Sequence, residues 1–184
     1  MRRILILGSA GSGKSTLARQ LGEILDIRVI HLDRYWWQAG WKPAPWDLWL
    51  EKVLEFMDLD SWIMDGNYLR TLQLRFEAAD TVIFLDFPRL ICLWRVIKRR
   101  FKYRGQTRSD IAPGCPEKID WEFLKWIWRF PKVNKPWIME ILELRGKEKE
   151  IVTSSSYDNA LQVKKSEETN SNESEETSKS VSSS

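Results

Sequence analysis

Hydrophobic and polar positions alternate in a repeating order along this chain. The apolar run Ile4-Leu5-Ile6-Leu7 predicts a short buried strand, and after a glycine-rich turn the spacing of Leu17, Ala18, Leu21, Ile24 and Leu25 predicts a helix over 14–25. Ile27 to Ile30 predicts a second strand, ending in His31-Leu32-Asp33. A segment rich in Trp, Gly and Pro (Tyr35 to Pro45) precedes a helix from Trp46 or Asp47 to Met57, with Asp47 placed to cap it. Trp62 to Asp65, Thr81 to Asp86 and Glu150 to Thr153 predict three more strands. Arg89 to Tyr103 predicts a long amphipathic helix, and Arg104 to Lys118 a loop long enough to serve as a lid. Two further helices are expected, Ile119 to Phe130 and Asn134 to Arg145, separated by Pro131 and Pro136. Five strands alternating with helices predict an α/β fold with a parallel sheet.

Composition narrows the function classes. At 184 residues and 43% hydrophobic, the chain suits one medium domain, expected over 1–163. Residues Lys164 to Ser184 carry 8 Ser and 5 Glu with one aliphatic residue, a composition that predicts a disordered tail. The overall charge is +3, and the tail's three Lys against five Glu leave +5 for residues 1–163, which suits an anionic ligand. No apolar stretch is long enough for a spanning or signal segment. Cys92 and Cys115 lack metal-ligand spacing. These features predict a cytoplasmic, reduced protein without a membrane partner, expected as a monomer.

The chemistry concentrates in Gly8-Ser9-Ala10-Gly11-Ser12-Gly13-Lys14-Ser15-Thr16, which fits the P-loop spacing G-x-x-x-x-G-K-[ST] between a strand and a helix. Backbone N–H groups in such a loop cradle phosphates, its Lys (Lys14) reaches the β and γ phosphates, and its Ser (Ser15) ligates Mg²⁺. ATP and Mg²⁺ are therefore the expected ligands. From Arg95 to Arg108 the chain has seven basic residues and no acidic one, a group read as phosphate-binding. Asp65 closes a strand before Gly66 and can hold a Mg²⁺-bound water or accept a bond from Ser15. Asp33, at the end of the second strand, either binds or deprotonates an acceptor hydroxyl or serves as a loop carboxylate. His31 is read as structural. Trp36, Trp37, Trp41, Trp46 and Trp49 either stack on an acceptor or pack the arm, whereas Trp121, Phe123, Leu124, Ile127 and Trp128 are expected in the core.

With the P-loop, His31-Leu32-Asp33, Asp65-Gly66-Asn67-Tyr68, Leu85-Asp86-Phe87-Pro88 and Gly114-Cys115-Pro116-Glu117-Lys118, the chain resembles the P-loop kinases related to adenylate kinase. Within them it looks closest to the bacterial DNA topology modulation proteins. The resemblance covers about residues 1–160. It implies a three-layer P-loop NTPase fold with strand order 2-3-1-4-5, an acceptor-side arm near 33–60 and a lid near 104–118. It also implies transfer of the γ-phosphoryl group of Mg-ATP to a small acceptor, with a nucleoside monophosphate leading and a small hydroxylated metabolite as alternative. In that pattern Arg95 lies against adenine, Arg99 and Arg100 contact phosphates at the lid hinge, and Lys14, Asp33, Asp65 and Arg99 form the catalytic set. Arg70 and Arg129 are the acceptor-side basic candidates, although Asn67-Tyr68-Leu69-Arg70 sets Arg70 one position late. A nucleotide-dependent DNA-binding regulator is the competing class, resting on the basic run with Phe101 and Tyr103. The modest charge of the folded part argues against it. Asn134-Lys135-Pro136-Trp137 lacks the closing Asp of a guanine-reading motif.

Overall fold

A computed structural model describes residues 1–145 and 149–154. The expected domain end at 163 and the Lys164–Ser184 tail lie outside the described residues. Alternate side chains of β1 (Arg3–Gly8) point to opposite faces, so Ile4 and Ile6 meet one layer of helix while Leu5 and Leu7 meet another. The first layer is α1 (Lys14–Leu25), through Leu17, Ala18 and Leu21. Four more parallel strands complete the sheet: β2 (Val29–His31), β5 (Trp62–Asp65), β6 (Thr81–Leu85) and β7 (Glu150–Ser154). Their order is β2-β5-β1-β6-β7, which for sheet strands counted along the chain is the expected 2-3-1-4-5. A sheet covered on both faces explains why these strands are continuously apolar.

The opposite layer holds α3 (Trp46–Met57), α4 (Leu69–Ala78) and α6 (Trp121–Arg145), which bury Trp49, Val53 and Phe56, then Leu72 and Phe76, then Phe130, Ile138 and Leu142. Between β2 and α3 come the one-turn α2 (Asp33–Trp36) and a two-stranded hairpin of β3 (Trp37–Gln38) and β4 (Lys42–Pro43). The helix α5 (Arg89–Lys102) lies against the P-loop and α6, burying Cys92 and Val96 with Ile127 and Ala10.

Three expectations about the helices change. Pro131 and Pro136 do not separate two helices but lie inside α6. An interior proline costs about 3 kcal/mol, and here burial of Ile127 and Phe130 before the pair and of Ile138 and Leu142 after it opposes that cost. Asp47 makes no side-chain cap, because Pro45 holds the cap position of α3. Trp121 and Trp128 are exposed, with Ile127 the buried member of that periodic set.

Candidate active site

Gly8, Gly11 and Gly13 carry φ of 145°, 80° and 101°, the left-handed backbone that lets the P-loop curl. Packing imposes the same choice at Gly11, where an added Cβ would lie 2.4 Å from the Cys92 carbonyl oxygen on α5. Gly13 caps α1, whose first turn has no acidic residue, so the positive end of that helix faces the loop uncompensated. Lys14 donates to the Ser9 carbonyl over 3.0 Å. Its pKa is lowered by burial, which outweighs the opposing charges of Asp65 and Asp33.

The loop opens onto a cleft of about 1030 Å³. P-loop residues Ala10, Gly11, Gly13, Lys14, Ser15 and Thr16 line one side, with Arg95 and Arg99 from α5. Asp33, Trp37, Trp41 and Tyr68 line another, and lid residues from Arg108 to Ile111, with Glu117, cover it. The expected catalytic set of Lys14, Asp33, Asp65 and Arg99 therefore faces one space. Gly8, Ser9 and Ser12 support the loop from behind. The Ser12 hydroxyl is buried there without a protein partner, whereas that of Ser9 meets Cys92. Among the described residues, no group of three or more His, Cys, Asp or Glu forms a metal site by itself. Mg²⁺ fits here only with phosphate oxygens supplying part of its shell, alongside Ser15 and Asp65.

Asp65 is buried at the end of β5 and pairs with His31 Nδ1 at 2.7 Å. Burial pulls the His31 pKa down, but the hydrogen bond and charge of Asp65 outweigh it and the net shift is upward. The sole histidine therefore acts as a support for the buried Asp65 carboxylate.

The wall of the cleft that carries Asp33 is built by a turn over Gly66 to Tyr68. Asn67 clasps the first P-loop glycine, accepting from Gly8 N (3.1 Å) and donating to Gly8 O (2.8 Å). Tyr68 takes φ 33°, a conformation rare for an aromatic residue, and its hydroxyl donates to Asp33. The turn is held by Arg75 of α4, which is fully buried and donates to the carbonyls of Gly66 (2.9 Å), Asn67 (2.5 Å) and Tyr68 (3.0 Å) and to Thr71 Oγ1 (3.2 Å). Burial lowers the Arg75 pKa to about 9. Burial likewise raises the pKa of Asp33, opposed by the Tyr68 bond and by the charge of Lys14. Removing that hydroxyl strips support from the carboxylate form. Tyr68→Phe is expected to move the acid limb of the kcat/KM profile to higher pH. It should also cut kcat by roughly 10- to 150-fold, the equivalent of about 1.5–3 kcal/mol for a hydrogen bond to a charged group. A pH–rate profile checks both.

The arginines divide. Arg95 lies over the Phe87 ring at 4.5 Å and reaches toward the Ser12 carbonyl. Arg99 binds the buried Glu117 carboxylate through Nε at 2.8 Å, and Arg108 Nε lies 2.8 Å from the other oxygen of that group. Arg108 also donates to Asp110 at 3.0 Å. Burial raises the Asp110 pKa, yet the Arg108 charge and a hydrogen bond from Ser15 outweigh it, and the net shift is downward. Arg100 does not line the cleft, and one of its guanidinium nitrogens is buried without a partner. Arg70 and Arg129 are also absent from the lining. Arg70 is exposed and stacks 3.6 Å from the Trp46 ring, and Arg129 projects from the outer side of α6. Trp37 and Trp41 reach the cleft, whereas Trp36 and Trp49 pack against Tyr68. Glu117, Asp110, Asn67 and Arg75 were missed as site residues. Only the Asp-Gly-Asn-Tyr string and the Glu of the lid motif marked their positions.

The lid closes onto the hairpin. Trp41 Nε1 donates to Pro116 O (3.0 Å), Gly40 N to Gly114 O (2.9 Å) and Cys115 Sγ to Gln38 O (3.1 Å). Ile111, Ala112 and Cys115 pack against Trp37 and Trp41 beneath these bonds.

No family model matches the chain, and no curated protein matches it. Solved structures do. The chain is similar to shikimate kinase from Acinetobacter baumannii in complex with shikimate, at 16% identity over 92% of this chain and 94% of that one, with a TM-score of 0.55. Shikimate kinase from Bacteroides thetaiotaomicron matches at 17% identity over 88% and 94%, with a TM-score of 0.48. The first likeness shows the P-loop kinase fold. The narrower resemblance to DNA topology modulation proteins is matched by no family model and no curated protein.

Proposed function

We propose that this chain is an ATP-dependent kinase that transfers the γ-phosphoryl group to a hydroxyl of a small acceptor. The observation that carries this reading is one cleft with a phosphate cradle on one wall and a buried, hydrogen-bonded carboxylate, Asp33, on the other. Phosphoryl transfer asks mainly for positioning and positive charge around the transferring oxygens. Lys14, Arg95, Arg99 and Arg108 supply that charge, and the α1 N-terminus adds to it. Asp33 orients the acceptor hydroxyl and takes its proton as the oxygen–phosphorus bond forms and the bond to the leaving ADP oxygen breaks. Ser15, with Asp65 behind it, would hold Mg²⁺, which would screen the triphosphate charge.

The lining favours a hydroxylated acceptor without its own phosphate over a nucleoside monophosphate. A phosphorylated acceptor needs guanidiniums on its own side. Among the described residues, Arg19 is the one guanidinium on the lining outside α5 and the lid, and Arg75 is engaged by backbone carbonyls. The acceptor wall is aromatic and acidic instead, with Trp37, Trp41, Tyr68 and Asp33. The Acinetobacter neighbour, solved in complex with shikimate, is a kinase of that acceptor class.

A panel of hydroxy acids, polyols and nucleoside monophosphates with Mg-ATP tests the reading by ADP release. Lys14→Ala is expected to lower kcat/KM by roughly 10²–10³-fold, the scale for removing one charge-stabilising donor. No ADP above that variant across the whole panel would sink the kinase assignment. Release with monophosphates alone would overturn the acceptor class.

A further inference from the structure

The helix α5 is amphipathic in two directions. Its inner side buries Cys92 and Val96 and points Arg95 and Arg99 into the cleft. Leu90, Trp94, Ile97 and Phe101 follow at i, i+4, i+7 and i+11, the spacing of a single stripe, and all four are turned to solvent at 66%, 60%, 44% and 76% exposure. Such a stripe is about 16 Å long at the helical rise. Exposed apolar residues scattered singly need no explanation, but four large ones aligned on one ridge do.

The charge around the ridge selects what covers it. No Asp or Glu occurs from 87 to 109. Lys98, Lys102 and Arg104 remain exposed beside the stripe, with the Lys98 ammonium 5.0 Å from the Trp94 ring centroid. A second copy of α5 would set these cations against their like. Nucleic acid would satisfy the cations and leave Leu90 and Ile97 in water. Segments 155–184 of the chain bring acidic residues but few apolar ones to fill the stripe. Protruding Trp, Phe, Leu and Ile with flanking Lys, whose long stems can lie along apolar surface, suit the headgroup boundary of a bilayer.

We propose that the outward ridge of α5 docks this protein on an anionic lipid surface, with Trp94 and Phe101 inserted at the headgroup level and Lys98, Lys102 and Arg104 on the lipid phosphates. The expectation of no membrane partner rested on the lack of a spanning stretch, a criterion that does not register a ridge assembled from residues three and four apart. Because this ridge lies on the side of α5 away from the cleft, the proposal stands or falls independently of the kinase reading.

Co-sedimentation of the full chain with vesicles tests it, comparing 3:1 phosphatidylcholine:phosphatidylglycerol with phosphatidylcholine alone. The bound fraction is expected to be at least fivefold higher on the anionic vesicles and to fall with salt. Trp94→Glu with Phe101→Glu should cut binding at least tenfold while leaving ATP affinity unchanged. Lys98→Ala with Lys102→Ala keeps the apolar stripe and guards against misfolding of the first variant. That pair should weaken binding severalfold and flatten the salt dependence. Equal or absent binding on the two vesicle types overturns the proposal, as does binding that neither variant alters. A dimer in light scattering that Trp94→Glu with Phe101→Glu makes monomeric, or duplex DNA binding that the same variant abolishes, overturns it in favour of that partner.

Discussion

Asp33→Asn is expected to lower kcat by roughly 10²–10⁴-fold, the contribution of a positioned general base, while ATP affinity stays within about threefold, since the P-loop contacts are unchanged. The amide keeps the shape of the side chain and can still meet the Tyr68 hydroxyl, but it cannot take the acceptor proton. Burial holds the Asp33 pKa above the usual carboxylate value. Activity carried by the carboxylate form must therefore rise with pH through that raised value, and the variant should lose this limb altogether. Single-turnover kinetics across pH with a nucleotide-binding control measure both quantities. An unchanged kcat with the acid limb intact would assign the base elsewhere and leave Asp33 as a loop carboxylate.

Arg75→Met is expected to destabilise the fold by about 3–5 kcal/mol, because it strands several buried acceptors, each costing about 1–3 kcal/mol when unsatisfied. The carbonyls of Gly66 and Asn67 depend on this guanidinium, whereas that of Tyr68 also accepts from Thr71. The loss is less than a simple sum of bonds, since the variant also escapes the cost of burying the charge. Arg70→Met, five residues earlier, removes only an exposed stack on Trp46 and should cost under about 1 kcal/mol. Denaturant melts of the two variants separate the roles. Equal effects would mean that α4 does not hold the turn. Because that turn carries both the Asn67 clasp on Gly8 and the Tyr68 contact to Asp33, activity of Arg75→Met should fall even at temperatures where the variant stays folded.

The contrast between Arg70 and Arg75 shows what was legible in the sequence. The P-loop, its flanking strand and helix, and the five-strand order followed from periodicity, glycine placement and resemblance, all of which are local or shared signals. Helix α4 was not anticipated, because Arg75 sits within the apolar stripe of Leu72 and Phe76 and breaks its pattern. A buried guanidinium satisfied by carbonyls looks like any surface arginine until the turn it supports is seen. Periodicity has a second blind side. It showed that Trp121, Ile127 and Trp128 repeat at helical spacing, but not which of them meets the protein, and Ile127 is the one that does. Glu117 and Asp110 escaped notice because a carboxylate in a loop gains a role only from what faces it, here Arg99, Arg108 and Ser15. Pro131 and Pro136 misled for the opposite reason: a strong local rule gave way to packing on both sides of it.

The lid and the hairpin are fastened to each other by Trp41, Gly40 and Cys115. Two covers joined in this way behave as one hatch. Lifting the donor side breaks the same three bonds that shut the acceptor side, so the halves of the cleft share a single schedule of exposure. On the proposed kinase reading, water would be shut out of both together, and nucleotide and product would gain their exits in the same event.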